Sequence, residues 1–338
     1  MHSILIAVAK MHYGRSLFPE HIRKLEEVAT VTHRQDLARA GEAAIIEALT
    51  DSQADIVMTI WQSPKITKAV LDACPKLKYM CHLSGQVGGY VSREAIEAGL
   101  LLSNWGNATS HSTAEGAFAM TLALLRHYNK IPFWMRNDRL YWELPELDEE
   151  GLFEQRVGLH GLGPIAQEYS KLLGPWNCKV SAYSPHCPDE VFAELDITRA
   201  NSLEELYGSN RIISCHAANR PDNFHIVNEH IFSLMEDGAY FINTGRGGVV
   251  DTEALIAELR TGRIRAALDV FEEEPLPADS ELRDLPNCFV VPHRAGPTDD
   301  RCKVMGERAV ENILRYVNGE ELLGQITLAR YDTMTQYD

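Results

Sequence analysis

Three residues of complementary chemistry end three successive apolar runs in the second half of the chain. Arg246 follows AYFINT within TGRGG, Glu274 follows ALDVF within EEEP, and His293 closes CFVVPH. A guanidinium clamps a carboxylate and polarises a carbonyl, an imidazolium gives up a proton near neutral pH, and a carboxylate orients that imidazole. Taken singly, each has an ordinary structural explanation: a surface arginine in a glycine turn, one of three solvated glutamates, a histidine bonded to backbone at a core edge. Their common placement at strand ends makes them a reaction constellation, because ligands of open α/β sheets bind outside the carboxyl ends of the strands.

A second motif stands upstream. Gly161-Leu162-Gly163-Pro164-Ile165-Ala166 lies between the strand-like RVGLH and the helix-like IAQEYSKLL. In that setting G-x-G-x-x-A permits a tight turn, brings backbone close to a pyrophosphate and aims a helix N-terminus at its charge. Glycine-rich turns without a ligand are common, so the flanking strand and helix carry the argument. An acid about 20 residues further on normally accepts the ribose hydroxyls of NAD. Here KVSAY runs into Ser184 instead. SPHCPDE holds no Arg or Lys to attract a 2′-phosphate, and Asp189 and Glu190 follow closely, so cofactor choice between NAD and NADP stays open.

The elements that must position these residues fall into two series. The first hundred residues alternate strand-like runs (SILIAV, ADIVMTI, LKYMCHL) with helix-like ones (AIIEALT, ITKAVLDAC). From about residue 156 a longer series follows, with strand candidates RVGLH, KVSAY, RIISCHA, AYFINT, RAALDVF and NCFVVPH separated by patterns such as DTEALIAELRTG. Such alternation implies α/β domains with doubly wound parallel sheets, and 338 residues suggest two of them. Between the series, TAEGAFAMTLALLRHY reads as a helix apolar all round and therefore buried, at a domain or subunit junction. The following IPFWMRNDRLYWELPELDEEGLF, with its prolines, aromatics and charges, reads as an irregular connector.

Composition narrows the partners. The 48 acidic and 32 basic residues give a formal net charge of −16, which repels a phosphate backbone, so nucleic acid and anionic membrane are unfavourable partners. The apolar start Ile4–Ala9 is only a strand's length and has no basic residue before it, and Ala117–Leu125 is far short of the ~20 residues of a membrane helix. Seven dispersed cysteines without C-x-x-C spacing point to reduced thiols and a cytoplasmic setting.

With these residues in hand, the sequence resembles the D-isomer-specific 2-hydroxyacid dehydrogenases, a family that includes glyoxylate/hydroxypyruvate reductases, phosphoglycerate dehydrogenases and D-lactate dehydrogenases. The likeness runs over roughly residues 70 to 320. It rests on VGLHGLGPIA, FINTGRGGVVDTEAL, AALDVFEEEPL and VVPHRAG in that order, preceded by STAEGAFAMTLALLR. The resemblance implies hydride transfer between NAD or NADP and C2 of a small 2-hydroxy or 2-oxo acid. It assigns Arg246 to the substrate clamp, His293 to acid/base work, Glu274 to the histidine's partner, and Asp269 to a place near the nicotinamide.

Cofactor contacts are implied at Gly161, Leu162, Gly163, Pro164, Ile165, Ser184, Ala217, Thr244 and Gly245. Substrate contacts are implied at Ser84, Gly85, Gln86 and Val87, whose backbone N–H groups hold the substrate carboxylate in the family. The resemblance also implies two Rossmann-like or flavodoxin-like domains. Residues 1–107 and 298–338 form a discontinuous substrate domain and 108–297 the dinucleotide domain, paired as a homodimer through the region of the apolar helix and the aromatic connector 133–142.

Gly89-Tyr90, Ala218 and Asn210 depart from the family's usual residues, and Trp61, Met80, Tyr90, Trp105 and Trp142 are candidates to shape a larger substrate pocket. Two other readings compete on this scaffold. One is a dinucleotide-sensing, corepressor-like binding protein with little turnover. The other is a formate-dehydrogenase-like reaction, which Glu274 opposes because that chemistry usually has glutamine at this position.

Overall fold

The computed structural model describes residues 1–128, 130–136 and 148–335. The chain divides into two compact units, residues 1–109 with 297–338 and residues 110–296. The first is built on five strands: β1 His2–Ala7, β2 Ala29–His33, β3 Ile56–Thr59, β4 Tyr79–His82 and β5 Leu101–Ser103. They pair in the order β2-β1-β3-β4-β5, all in parallel, which is the flavodoxin-like doubly wound arrangement. Both faces of this sheet are covered, and the sequence shows it. Leu5, Val57, Met80 and Leu102 enter one core, whereas their neighbours Ile4, Ile6, Ile56, Met58 and Cys81 enter the other. The unbroken apolar runs of these strands are what two buried faces require. The chain returns at its end to complete the second of those cores through helix Cys302–Val317, whose Met305, Ala309 and Ile313 are buried there.

The second unit carries seven strands: β6 Arg156–His160, β7 Lys179–Tyr183, β8 Thr198–Arg199, β9 Ile212–Cys215, β10 Tyr240–Asn243, β11 Arg265–Leu268 and β12 Cys288–Val290. Their order is β12-β11-β10-β9-β6-β7-β8, every pairing parallel. Chain order reverses between β6 and β9, which is where this architecture opens a crevice at the carboxyl edge. Again alternate residues part company, with Ile213, Phe241 and Ala266 in one core and Ile212, Tyr240, Ile242 and Ala267 in the other.

Three strands escape periodicity. β2 reads ATVTH, with too few apolar residues to signal a strand, because it lies at the sheet edge; β8 and β5 are two and three residues long. The helix Ser110–Leu125 departs from the expected all-round burial. Ala114, Ala117, Met120, Thr121, Leu124 and Leu125 are buried, but Ala119 is exposed and Phe118, Leu122 and Ala123 only partly covered. Uniform apolarity here therefore includes a face that this unit does not cover. The expected irregular connector opens with a helix, Ile131–Arg136, and its residues 137–147 lie outside the described residues. Asn210 is a structural substitution: buried, it donates to Leu206 O at 2.8 Å and to Ser181 Oγ at 2.9 Å.

Candidate active site

The turn after β10 presents Arg246, and buried Asn243 shapes it. Gly245 N–H donates to Asn243 Oδ1 at 3.0 Å, and Asn243 Nδ2 donates to Arg246 O at 3.2 Å. Gly247 then passes so close to the next loop that a Cβ there would lie 1.8 Å from the carbonyl carbon of Phe271. Only glycine allows that approach, and it presses the Arg246 turn against the segment leading to Glu274.

Glu274 is held at both oxygens. Oε1 accepts from Phe271 N–H at 3.1 Å, and Oε2 accepts from His293 Nδ1 at 2.7 Å. His293 follows β12 in the left-handed region, φ +49°, with its N–H donating to Asp269 O at 2.9 Å and Val291 O at 3.0 Å. For a residue bearing a Cβ that conformation costs on the order of 1 kcal/mol or more, and such strain gathers at functional sites. Asp269, almost wholly buried, receives the N–H groups of Arg294 and Ala295 on one oxygen, so it braces the backbone that carries the imidazole. Burial holds its carboxyl above the ordinary aspartate value despite those two bonds.

The electrostatics follow from this geometry. The hydrogen bond that His293 donates to Glu274 raises the histidine's proton affinity, overcoming burial, while the charge of Arg246 works against it. Burial alone would raise Glu274, but its bond to His293 and that residue's charge bring its pKa below the ordinary value. Both shifts favour the carboxylate–imidazolium form of the pair. With Nδ1 committed to Glu274, Nε2 is the nitrogen left for proton exchange, on a side chain half exposed to solvent.

A second cluster lies at the switch between β6 and β9. Gly161 has φ +91°, and a Cβ on it would come within 3.2 Å of Ala217 backbone; the Cβ position of Gly245 is likewise 2.9 Å from Ala217 O. Gly161, Ala217 and Gly245 therefore converge, with Thr244 beside them through its N–H to Cys215 O at 3.3 Å. Gly163 caps helix Pro164–Leu173 with open space where a side chain would stand, Leu162 is buried beneath the turn and Ile165 partly so. A bare turn, an adjoining helix N-terminus and the converging loops at Ala217 and Gly245 suit a pyrophosphate.

Ser184 directly follows β7, in the place of an acid. The residues SPHCPDE hold no Arg or Lys, but the fold supplies a cation. Arg199, at the end of β8, donates to Ser184 O at 3.2 Å and to Cys187 O at 2.7 Å. It lies fifteen positions beyond Ser184, so only the pairing of Ala182 with Arg199 brings it there. β8 is only two residues long, so residue order carried no signal for this contact.

In the other unit, the loop after β4 is tightly organised. Ser84 is buried, with Oγ 2.6 Å from His82 Nε2, and His82 in turn bonds Thr59 at 2.7 Å. Burial drives the pKa of His82 down to about 3, so it stays neutral as a bracing group. Asn104 Nδ2 donates to Gly85 O at 2.6 Å, and the Trp105 ring fills the space a Cβ on Gly85 would need. The N–H groups of Ser84, Gly85, Gln86 and Val87 donate to no backbone carbonyl among the described residues. Tyr90 stacks on His82 at 4.7 Å, and Trp61 meets Trp105 edge-on at 5.9 Å. Met80 is core and Trp142 lies outside the described residues.

Comparison with known proteins agrees with this geometry. Residues 118–295, over half of the chain, match the family model for the D-isomer specific 2-hydroxyacid dehydrogenase NAD-binding domain. The chain is 29% identical over 305 residues to D-3-phosphoglycerate dehydrogenase of Methanocaldococcus jannaschii, covering 90% of this chain and 56% of that longer protein. It is 28% identical over 323 residues to glyoxylate reductase of Thermococcus litoralis, covering 92% and 94% respectively. A solved structure from Thermus thermophilus superimposes with a TM-score of 0.80 at 27% identity, covering 96% of this chain and 99% of the other. With the glycine turn at the strand-order switch and the paired Glu274 and His293 on the same sheet edge, these matches establish that the chain belongs to the D-isomer specific 2-hydroxyacid dehydrogenase family of oxidoreductases.

Proposed function

We propose that this protein is an NAD(P)-dependent reductase of small 2-oxo acids, glyoxylate and hydroxypyruvate being the first to test, and that it also runs the reverse oxidation of 2-hydroxy acids. The observation carrying this reading is the 2.7 Å contact between His293 Nδ1 and Glu274 Oε2, which leaves Nε2 of a protonated imidazole for the substrate oxygen. A bound nicotinamide supplies the hydride to C2. The chain's own part is positional and protonic: Arg246 holds the substrate carboxylate and polarises the carbonyl, His293 gives its proton to the oxygen, and Glu274 keeps that imidazole charged and aimed. The N–H groups of residues 84–87 are assigned a share of the carboxylate, as the family resemblance implies.

Gly161, Leu162, Gly163, Pro164 and Ile165 are assigned to the pyrophosphate, with Ala217, Thr244 and Gly245 beside it and Ser184 at the ribose. Asp269 is assigned to the nicotinamide end. On this assignment residues 110–296 bind dinucleotide and also carry the reaction residues Arg246, Glu274 and His293. Both dinucleotides are accepted, with neither favoured by more than ~100-fold in kcat/KM, since Ser184 offers no charge to discriminate strongly. We assign the chain to a homodimer on the partly uncovered face of helix Ser110–Leu125, and to the cytoplasm because all seven cysteines are free thiols.

The test is a panel of 2-oxo acids assayed with NADH and NADPH. Turnover of glyoxylate or hydroxypyruvate at ordinary enzyme rates is expected. Tight dinucleotide binding without turnover of any acid would instead favour the binding-protein reading.

A further inference from the structure

The loop after β7 bears on which dinucleotide the chain prefers. Arg199 is fixed there by four contacts: its guanidinium donates to Ser184 O and Cys187 O, lies 3.8 Å over the Phe192 ring, and pairs with Asp189 Oδ1 at 2.7 Å. Three of these partners are backbone or core. The fourth is not: the Asp189 side chain is 89% exposed, against 32% for Arg199.

We infer that Arg199 is a binding residue for the 2′-phosphate of NADP(H), and that Asp189 is the group the phosphate displaces. This rests on the dinucleotide assignment above and extends it to the phosphate. Position supports it first. Gly161 N–H donates to Tyr183 O at 2.9 Å, so the glycine turn adjoins the end of β7, and Ser184 is the next residue. In this fold the side chain at the end of the second strand meets the adenosine ribose. Arg199 is bonded to that residue's own carbonyl.

Chemistry supports it next. An exposed ion pair such as that of Asp189 with Arg199 contributes little, whereas a phosphate dianion offers several acceptor oxygens and more charge to the same fork. Because two carbonyls and a ring already hold the guanidinium, little side-chain freedom remains to be lost on binding. The loop also contains an opposing charge. Glu190 lies beside Asp189 in the first turn of helix Asp189–Glu194 and is exposed, so its repulsion is screened at ordinary salt and limits the preference without reversing it.

The experiment is direct binding, by fluorescence titration of NADPH and NADH and by calorimetry with adenosine 2′,5′-bisphosphate against ADP. The wild type is expected to bind NADPH about tenfold more tightly than NADH, the scale of one charge-assisted hydrogen-bonded contact. Arg199→Met should abolish that difference while leaving NADH affinity within about threefold. Asp189→Asn keeps the arginine's other anchors and removes its competitor, so it should tighten NADPH and the bisphosphate but not NADH or ADP. Equal wild-type affinities, or variants that move both dinucleotides in parallel, would overturn the inference while leaving the reductase reading intact. A wild type that binds neither dinucleotide would overturn that reading and this inference with it.

Discussion

Within the proposed reaction, His293 is the residue whose proton sets the rate, and its contact with Glu274 gives that role a sign. Glu274 raises the histidine's pKa, so the proton needed for reduction is present below the raised value and lost as pH climbs through it. Oxidation needs the neutral imidazole and should rise over the same interval where chemistry limits the rate. Glu274→Gln removes the charge at nearly constant size, so both limbs should shift to lower pH. A variant with the wild-type pH profile would end the assignment of Glu274 as partner. His293→Ala should slow reduction about 100- to 10,000-fold, as loss of a general acid does, with dinucleotide affinity nearly unchanged in a binding titration. Arg246→Ala should differ in kind, raising KM for the 2-oxo acid as well as lowering kcat, because it removes a ground-state contact too. At Ser184, Asp would bond the ribose diol and repel a 2′-phosphate, so Ser184→Asp should move the ratio of kcat/KM values toward NADH.

At the scale of elements, the site is a set of turns stacked along one sheet edge, and their mutual approach is as specific as the side chains they carry. Gly247 is the sharpest case, since a methyl there would collide with the backbone of Phe271 and Glu272 rather than with a movable side chain. Overpacking of this kind costs about 1–3 kcal/mol. In a unit of this size that corresponds to a fall in Tm of roughly 2–12 °C. Gly247→Ala should therefore lower Tm in calorimetry and also depress kcat/KM, because relief of the clash must move either the Arg246 turn or the segment before Glu274. Unchanged Tm together with unchanged kinetics would show that the two turns do not need this contact.

For the whole molecule, the question is what covers the helix Ser110–Leu125. An apolar helix with Ala119 exposed and Phe118, Leu122 and Ala123 partly so fits a second copy of the chain better than water. Light scattering at micromolar concentration should give a dimer mass, and Ala119→Arg, which sets a charge on that face, should shift it toward monomer. A monomeric wild type would leave the helix without this explanation.

Much of this was readable from residue order. Apolar runs of strand length alternating with amphipathic ones specify parallel sheets, because a strand buried on both faces must be apolar at every position. Polar residues after such runs must reach the carboxyl edge, which is why Arg246, Glu274 and His293 are legible in residue order alone. Weak or short edge strands such as β2 and β8 were not readable, since one neighbour and partial burial impose little pattern. Nor were the contacts that cross the sheet. That Asp269 would turn its carboxylate to the N–H groups of Arg294 and Ala295, that Gly161 and Gly245 would both close on Ala217, and that Arg199 would lie against Ser184 all depend on which strands are neighbours. Strand order is set by how helices cover the two faces and where the chain reverses direction across the sheet, and these are long-range packing outcomes that local residue spacing does not encode.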